Sequence, residues 1–344
     1  MSTPYNRLQV YLDEVVARPD AARAMAFGDS WFQYPLRRYG DLETKLSRHY
    51  GRRLLTLDDS YPGRDAKEAF ALLPRWSGVA RDLAERGTPF DLFLVSMGGN
   101  DIIGQDFALH LKRADDPPDG QSWPWHPAIP TVVQRHIRLD ALKHAFAKVQ
   151  AFYEGIVLLR DTHAPQATIL THTYGDVTPM DVPYTFIGFT SGPWLWKPMR
   201  DFGLTDAGEQ RALSRWLLES FFRMLTFVAK STRAFVVLDT RGELTDPAGW
   251  DNEIHPKGPG FQHLVDRFWV PAADAVLAGA GPGTAKKAAI RSGGAKKRSA
   301  TRPGAKTSAA GKAAVKKAAV KKVAAKTAIR RSGVARGRVR PQPR

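Results

Sequence analysis

The chain of 344 residues combines 43% apolar with 25% charged residues, a balance typical of soluble globular proteins. The absence of cysteine excludes disulfides, thiolate metal sites and cysteine nucleophiles, and no run of eighteen apolar residues is present to form a transmembrane helix. The formal net charge of +17 is uneven: residues 281–344 hold 20 Lys or Arg and no acidic residue, whereas residues 1–280 hold 31 basic and 34 acidic residues. We therefore predict a near-neutral globular domain over residues 1–280 and a basic tail over residues 281–344.

Within the globular part, short apolar runs alternate with segments of helical periodicity. After a polar helical lead-in over residues 1–23, strands are predicted at 24–27, 54–57, 90–97, 167–173 and 235–239. Helices are predicted at 41–50, 66–73, 76–86, 131–161, 206–231 and 259–278. This alternation predicts an α/β fold, a flavodoxin-like three-layer α/β/α sandwich around a five-stranded, mostly parallel sheet.

Two proline-bearing segments interrupt this alternation, at residues 114–130 and 176–204, and both are rich in aromatic residues. The aromatic side chains could form an apolar wall for a substrate, or they could pack as the small core of each loop. Trp31, Phe186 and Trp194 are the candidates for substrate contact.

Four residues suited to acyl-transfer chemistry each follow a predicted strand. Ser30 ends a small-residue strand at a tight turn, although a serine there could also cap the next helix. Gly63 would let backbone N–H approach a substrate oxygen, the Asn100 amide could donate to the same oxygen, and His255 could act as a base. Because parallel strands end at one edge of the sheet, we expect these residues to meet there.

The residues around these four positions resemble the sequence blocks of the SGNH hydrolases, the GDSL esterase/lipase superfamily. The match covers residues 24 to about 270, in the family's order, and the second block is only partial. The blocks are Phe27-Gly28-Asp29-Ser30, Gly63, Gly98-Gly99-Asn100-Asp101 and Asn252-Glu253-Ile254-His255-Pro256.

The resemblance implies the role of each residue. Ser30 would attack an ester carbonyl while His255 takes its proton, and the oxyanion would be held by backbone N–H of Ser30 and Gly63 with the Asn100 side chain. The implied substrate is a carboxylic ester, such as a lysophospholipid or a short-chain acyl ester. Alternatives are an O-acetylated carbohydrate or cell-envelope precursor, or a weakened scaffold that binds nucleic acid. No cofactor and no metal ion are expected.

One position departs from the family pattern, in which an aspartate stands three residues before the base. Asn252 occupies that position, and Asp251 lies one residue earlier. Asp251 could orient His255 through a shifted turn, Asn252 could do so in a weaker triad, or a backbone carbonyl could do so and leave a Ser–His dyad. Asp251 is preferred among these. His172, at the end of the fourth predicted strand, is a rival base or a hydrogen-bonded wall residue, whereas Asp29 and Asp101 are expected to hold loops in place.

The tail repeats Lys-Lys and Lys-Arg pairs among small residues, and it contains no aromatic residue. It cannot bury enough surface to offset chain entropy, so we expect it to be disordered when free. Its charge suits a polyanion, with nucleic acid first and anionic lipid second, or it serves only as a solvated tail. Because the first residues lack the layout of a secretory signal, we expect a cytoplasmic protein, with the tail able to hold it at the nucleoid or a membrane surface.

Overall fold

The computed structural model describes residues 7–34, 40–117, 122–186 and 189–279. The basic tail predicted at residues 281–344 lies outside the described residues, as does the start of the lead-in. No helix within the described ranges is long and apolar enough to cross a membrane.

A parallel sheet of five strands forms the centre of the described part of the chain, in the order β2-β1-β3-β4-β7. A separate antiparallel hairpin, β5–β6, lies in the second aromatic segment. The strands are β1 (Ala22–Gly28), β2 (Leu54–Asp58), β3 (Leu92–Ser96), β4 (Thr168–His172), β5 (Tyr184–Phe186), β6 (Phe189–Ser191) and β7 (Phe235–Leu238). The central strands β1, β3 and β4 are almost wholly buried, as expected for a parallel sheet covered on both faces.

Helices cover the sheet in two groups. In one group, α6 contacts both α3 and α8; the other group contains α2, α9 and α10 with the π-helix between the last two. The helices are α1 (Leu8–Ala17), α2 (Leu42–Tyr50), α3 (Ala66–Glu85), α4 (Gly99–Ile102), α5 (Thr131–His136), α6 (Leu139–His163), α7 (Trp196–Asp201), α8 (Ala207–Lys230), α9 (Gly258–Leu264), the π-helix (Val265–Trp269) and α10 (Val270–Leu277). The predicted three-layer α/β/α fold is confirmed.

Two predictions were wrong about where one helix ends and the next begins. The segments predicted as separate helices at 66–73 and 76–86 form the single helix α3, which runs through Pro74 because Leu73 and Trp76 are both buried on its inner side. The helix predicted at 131–161 is broken into α5 and α6, because Ile137 is extended and bridges Leu111.

The loops after the strands are tied together at the carboxyl edge of the sheet. The backbone N–H of Asp29, after β1, donates to the Ser96 carbonyl at the end of β3, at 2.9 Å. The N–H of Tyr61, after β2, donates to the Gly28 carbonyl at 3.0 Å. These bonds hold the three loops at fixed positions relative to one another, and the loop between β7 and α9 then reaches across to them.

Candidate active site

Ser30 and His255 meet at the carboxyl edge of the sheet, although 225 residues separate them along the chain. The Ser30 Oγ and His255 Nε2 atoms lie 2.7 Å apart. Ser30 lies two residues after the end of β1, whereas His255 lies in the loop between β7 and α9, at the far edge of the sheet. Their side chains are nearly buried, with Ser30 8% and His255 5% exposed. The geometry is that of a serine held by a base.

The Asn252 side chain determines which imidazole nitrogen carries the proton. Its Oδ1 accepts the backbone N–H groups of Ile254 at 3.1 Å and of His255 at 3.0 Å, so the oxygen and not the nitrogen of the amide faces this turn. The same oxygen lies 3.0 Å from His255 Nδ1. Because an amide oxygen can only accept, Nδ1 carries the hydrogen and Nε2 is free to accept from the Ser30 hydroxyl.

Asp251, the group preferred from the sequence, does not contact the imidazole. Its carboxylate accepts the Tyr34 hydroxyl at 2.5 Å, while its backbone N–H donates to the His255 carbonyl at 2.8 Å. The physical reason is the turn: Asn252 folds its side chain inward onto the next N–H groups, as asparagine does at such turns, and the preceding residue stays outside. Asn252, and not Asp251 as preferred from the sequence, therefore lies against the His255 Nδ1 atom.

The buried His255 imidazole is neutral. Burial lowers the pKa of its imidazole to about 3, because a charged ring would lose its hydration and gains no carboxylate in direct contact. The ring lies against Tyr34, with centroids 4.7 Å apart, and nearly perpendicular to the ring of Trp194, with centroids 5.8 Å apart. These rings exclude water from two sides of the imidazole.

Gly63 and Asn100 face Ser30 across a shared cleft of about 250 Å³. Gly63 has a positive φ of 81°, a conformation that favours glycine, and an added Cβ would meet open space there. The Asn100 Nδ2 atom donates to the Arg64 carbonyl at 3.0 Å, and its second hydrogen remains for another acceptor. The structure thus brings both candidate oxyanion donors to the serine.

The cleft has a mixed lining of aromatic and polar side chains. Ser30, Gly63, Asn100 and His255 line part of the cleft. Its other walls are Tyr34, Pro62, Gln105, Tyr184, Ser191, Trp194 and Ile254. Trp194 therefore lies where the sequence predicted a substrate-contacting aromatic. Phe186 ends β5, and its side chain is not among the described ones.

Trp31 is not a cleft residue, contrary to the prediction. It is 3% exposed, and its Nε1 donates to the Ile254 carbonyl at 3.0 Å. Its ring packs among those of His172, Tyr174, Trp250 and Phe261. Because it follows the serine into the first turn of a buried loop, its ring points into the core and fastens the His255 loop from behind.

A buried polar network lies beneath the serine. The Asp29 carboxylate accepts the Tyr174 hydroxyl at 2.5 Å, the Trp31 N–H at 2.9 Å and the Ser96 hydroxyl at 3.2 Å. Burial raises the pKa of Asp29 to about 6 in spite of these bonds. Asp29 thus holds the loop, as expected.

His172 belongs to the same network and does not touch Ser30. Its Nδ1 accepts the Tyr174 N–H at 3.2 Å, so its Nε2 carries the hydrogen that bonds Ser96 Oγ at 2.9 Å. Burial lowers the pKa of His172 to about 3 and keeps the ring neutral. These contacts fit a hydrogen-bonded structural residue, although His172 lies beneath the serine and does not line the cleft. Asp101 likewise holds a loop, since its carboxylate accepts the Ala66 N–H at 3.0 Å.

Tyr34, Glu253 and Gln105 lie at the site but were not singled out from the sequence. The Glu253 carboxylate accepts the backbone N–H groups of Leu195 at 2.5 Å and of Trp196 at 2.9 Å, and so ties the second aromatic segment to the histidine loop. Burial raises the pKa of Glu253 to about 7. The sequence offered one signal for Glu253, its place within the last sequence block. Nothing in the sequence of residues 176–204 indicates that the N–H groups of Leu195 and Trp196 donate to a distant carboxylate.

Across the described ranges, no three His, Asp or Glu side chains converge in a way that could hold a metal ion. The polar groups at the cleft instead face one another as donors and acceptors. Ser30, His255 and Asn252 form one such connected group.

No family model and no curated protein matches the chain. Solved structures similar to it include a GDSL-like lipase from Parabacteroides merdae, with 12% identity, 79% of this chain and 96% of that chain covered, and a TM-score of 0.36. A GDSL-like lipase from Bacteroides ovatus shares 13% identity, with 76% of this chain and 55% of that chain covered and a TM-score of 0.40. A carbohydrate acetylesterase family member from Sinorhizobium meliloti also shares 13% identity, with 75% of this chain and 99% of that chain covered and a TM-score of 0.39. In the order of its sequence blocks and in its five-stranded parallel sheet, this chain resembles the SGNH hydrolases of the GDSL esterase/lipase superfamily.

Proposed function

We propose that the chain is a serine esterase that hydrolyses carboxylic esters through Ser30 and His255. The observation that carries the proposal is the 2.7 Å contact between Ser30 Oγ and His255 Nε2 at the floor of an open cleft. The protonated Nδ1 leaves Nε2 as the acceptor, which is the arrangement that activates a serine hydroxyl.

In the proposed reaction, Ser30 Oγ adds to the ester carbonyl carbon while its proton passes to His255 Nε2. The tetrahedral oxyanion is stabilised by the backbone N–H groups of Ser30 and Gly63 and by the Asn100 amide, which donate hydrogen bonds to it. Collapse of the intermediate breaks the ester C–O bond, and His255 returns the proton to the leaving alcohol. Water then adds to the acyl-enzyme with the same base, and the acid leaves.

The proposed substrate is an ester of a short acyl group. A cleft of about 250 Å³ is smaller than the roughly 300–1,000 Å³ typical of pockets that enclose drug-sized ligands, so a long acyl chain would extend into solvent. This supports a short-chain acyl esterase over a lysophospholipase. Removal of an acetyl group from a carbohydrate or cell-envelope precursor is the second candidate, since Asn100, Gln105 and Ser191 offer polar contacts to a hydroxylated alcohol.

A labelling experiment tests the nucleophile directly. Incubation with a fluorophosphonate, digestion and mass spectrometry should place the adduct on Ser30, and Ser30→Ala should remove both the label and the hydrolysis of p-nitrophenyl acetate. A weakened scaffold would leave Ser30 unlabelled. A series of p-nitrophenyl esters from acetate to palmitate then tests the acyl preference, with kcat/KM expected to fall as the chain lengthens.

We also propose that residues 281–344 bind a polyanion, nucleic acid first. The support is the charge of this segment, with 20 Lys or Arg and no acidic residue. Without aromatic side chains to stack on bases, such binding would follow phosphates and ignore sequence.

A further inference from the structure

Asp251 is connected to His255 through two other side chains. Its carboxylate accepts the Tyr34 hydroxyl at 2.5 Å. The Tyr34 oxygen in turn lies 3.3 Å from Asn252 Nδ2, and Asn252 Oδ1 lies 3.0 Å from His255 Nδ1. The four groups therefore form a continuous chain of side-chain hydrogen bonds that starts at the imidazole and ends at a carboxylate.

The direction of each bond follows from the chemistry of the groups. Burial and the neighbouring Asp251 carboxylate raise the pKa of Tyr34 far above its ordinary value, so the hydroxyl keeps its proton and donates it to Asp251. With its hydrogen committed, the Tyr34 oxygen can only accept from Asn252 Nδ2. Asn252 is fully buried, and an amide N–H with no acceptor there would be costly. Tyr34 thus supplies the acceptor that keeps the amide oxygen facing His255.

We propose that Tyr34 and Asp251 are positioning residues that act in series through Asn252 on the base His255. A neutral asparagine lacks the charge that an aspartate would bring to a forming imidazolium. The hydrogen-bonded chain compensates, because each bond polarises the next and the series ends on a negative carboxylate. The charge that the family pattern places directly against the ring is here displaced by one residue and connected back to it.

Among the described groups around His255, the hydrogen-bonded chain through Asn252 and Tyr34 is the one that connects the imidazole to a charged group. Ser30 and Asn252 occupy its two ring nitrogens, and the rings of Tyr34 and Trp194 cover its sides. The nearby Glu253 carboxylate is turned away, toward the N–H groups of residues 195 and 196. Tyr184 packs on Tyr34, with ring centroids 6.1 Å apart, and lies near Asp251.

The proposal rests on the proposed esterase function, and the first test is therefore kinetic. Asp251→Asn and Tyr34→Phe should each lower kcat for p-nitrophenyl acetate roughly tenfold, as expected for one lost hydrogen bond to a charged group, with KM within about twofold. The double variant should be no slower than either single variant, because the two residues act in series. Multiplied effects, or effects confined to KM, would overturn the proposal.

Rescue and a matched control sharpen the kinetic test. The double variant Asp251→Asn/Asn252→Asp keeps the net charge and places a carboxylate directly against Nδ1, so kcat should return to within about threefold of the wild type. Asp246→Asn makes the same charge change in the same loop, at a residue whose carboxylate only caps Ala248, and asparagine caps as well as aspartate. Its kcat should be unchanged; an equal loss there would show a general effect of loop charge.

A measurement without turnover separates this proposal from the esterase proposal. The proton NMR resonance of His255 Nδ1–H, identified by its loss in His255→Gln, should lie downfield in the wild type and move upfield in both Asp251→Asn and Tyr34→Phe. If the wild type hydrolyses no ester, the esterase proposal fails, and this resonance alone decides the positioning roles. An unmoved resonance in both variants would overturn them.

Discussion

The carboxylate of Glu253 accepts the backbone N–H of Trp196 at 2.9 Å, and this bond joins the histidine loop to the aromatic segment over the cleft. The second carboxylate oxygen accepts the N–H of Leu195. Trp194, directly before these two residues, packs nearly perpendicular to the His255 ring. A single buried carboxylate thus sets the position of a cleft wall relative to the base.

The ionisation of Glu253 should make stability depend on pH. Its folded-state pKa is about 7, above the ordinary value of 4.5, so between these values the folded chain holds a proton that the unfolded chain has lost. The free energy of unfolding should therefore decrease as pH rises from 5 to 8, by roughly 3 kcal/mol at most from this group. In Glu253→Gln this component is absent, so the free energy of unfolding of the wild type minus that of the variant should decrease with rising pH.

Urea unfolding of both proteins at pH 5, 6, 7 and 8 checks this prediction. Other buried carboxyl groups with a raised pKa, such as Asp101, are present in both proteins and cancel in the difference. Parallel pH dependences for wild type and Glu253→Gln would contradict the assignment.

The pH dependence of turnover should reflect the low pKa of His255. Because burial lowers this pKa to about 3, the imidazole stays neutral and able to accept a proton in mildly acidic solution. The acid limb of kcat/KM should therefore lie well below 6.5, the pKa of an exposed histidine. Chromatographic measurement of ester hydrolysis from pH 4.5 to 8 tests this; half-maximal activity near pH 6.5 would show that the base is hydrated and not buried.

Gly28 should tolerate no side chain, because the nucleophile loop folds tightly over it. An added Cβ would lie 2.4 Å from Phe32 Cβ and 2.7 Å from Ser60 Oγ. Gly28→Ala should cost about 1–3 kcal/mol of unfolding free energy and lower kcat by displacing Ser30. Gly78→Ala is the control, since a Cβ there meets nothing within 4 Å inside helix α3, and it should stabilise the protein by about 0.5–1 kcal/mol. Equal stability of the two variants in urea would contradict the predicted crowding.

The basic tail should account for any binding to nucleic acid. Full-length protein should shift duplex DNA in a gel, whereas a version ending at residue 280 should not, because residues 1–280 carry 31 basic and 34 acidic residues. Binding should weaken steeply between about 50 and 200 mM salt, with a slope set by the number of phosphates contacted. Equal binding by both versions, or binding insensitive to salt, would assign the interaction to another part of the chain.

Local sequence patterns predicted the sheet and the four blocks at its edge because both depend on short-range signals. Apolar runs ending in small and polar residues mark parallel strands, and each candidate residue follows such a run. The patterns failed where a distant partner decides. Pro74 predicts a helix end, but burial of Leu73 and Trp76 carries α3 past it. Ile137 looks helical, but its pairing with Leu111 breaks the helix.

The same limit applies within the site. Neighbours along the chain could not decide between Asp251 and Asn252, because the choice depends on a turn and on Tyr34, which lies 217 residues from Asp251 along the chain. Trp31, which adjoins Ser30, was predicted to contact the substrate, whereas its indole N–H donates to the Ile254 carbonyl. Position at a strand end predicted which residues meet at the edge of the sheet, whereas adjacency along the chain did not predict the direction of a side chain.

The contact between Ser30 and His255 depends on strands at both the centre and the edge of the sheet. Strands β3 and β4 lie between β1, which presents Ser30, and the edge strand β7, which precedes His255. Edge elements open locally at lower free energy than central ones, so detachment of β7 would separate Ser30 Oγ from His255 Nε2 while the centre stayed folded. Heat or denaturant should therefore abolish ester hydrolysis before the circular dichroism signal changes. Loss of fluorophosphonate labelling would then report local unfolding of the β7 edge before global unfolding.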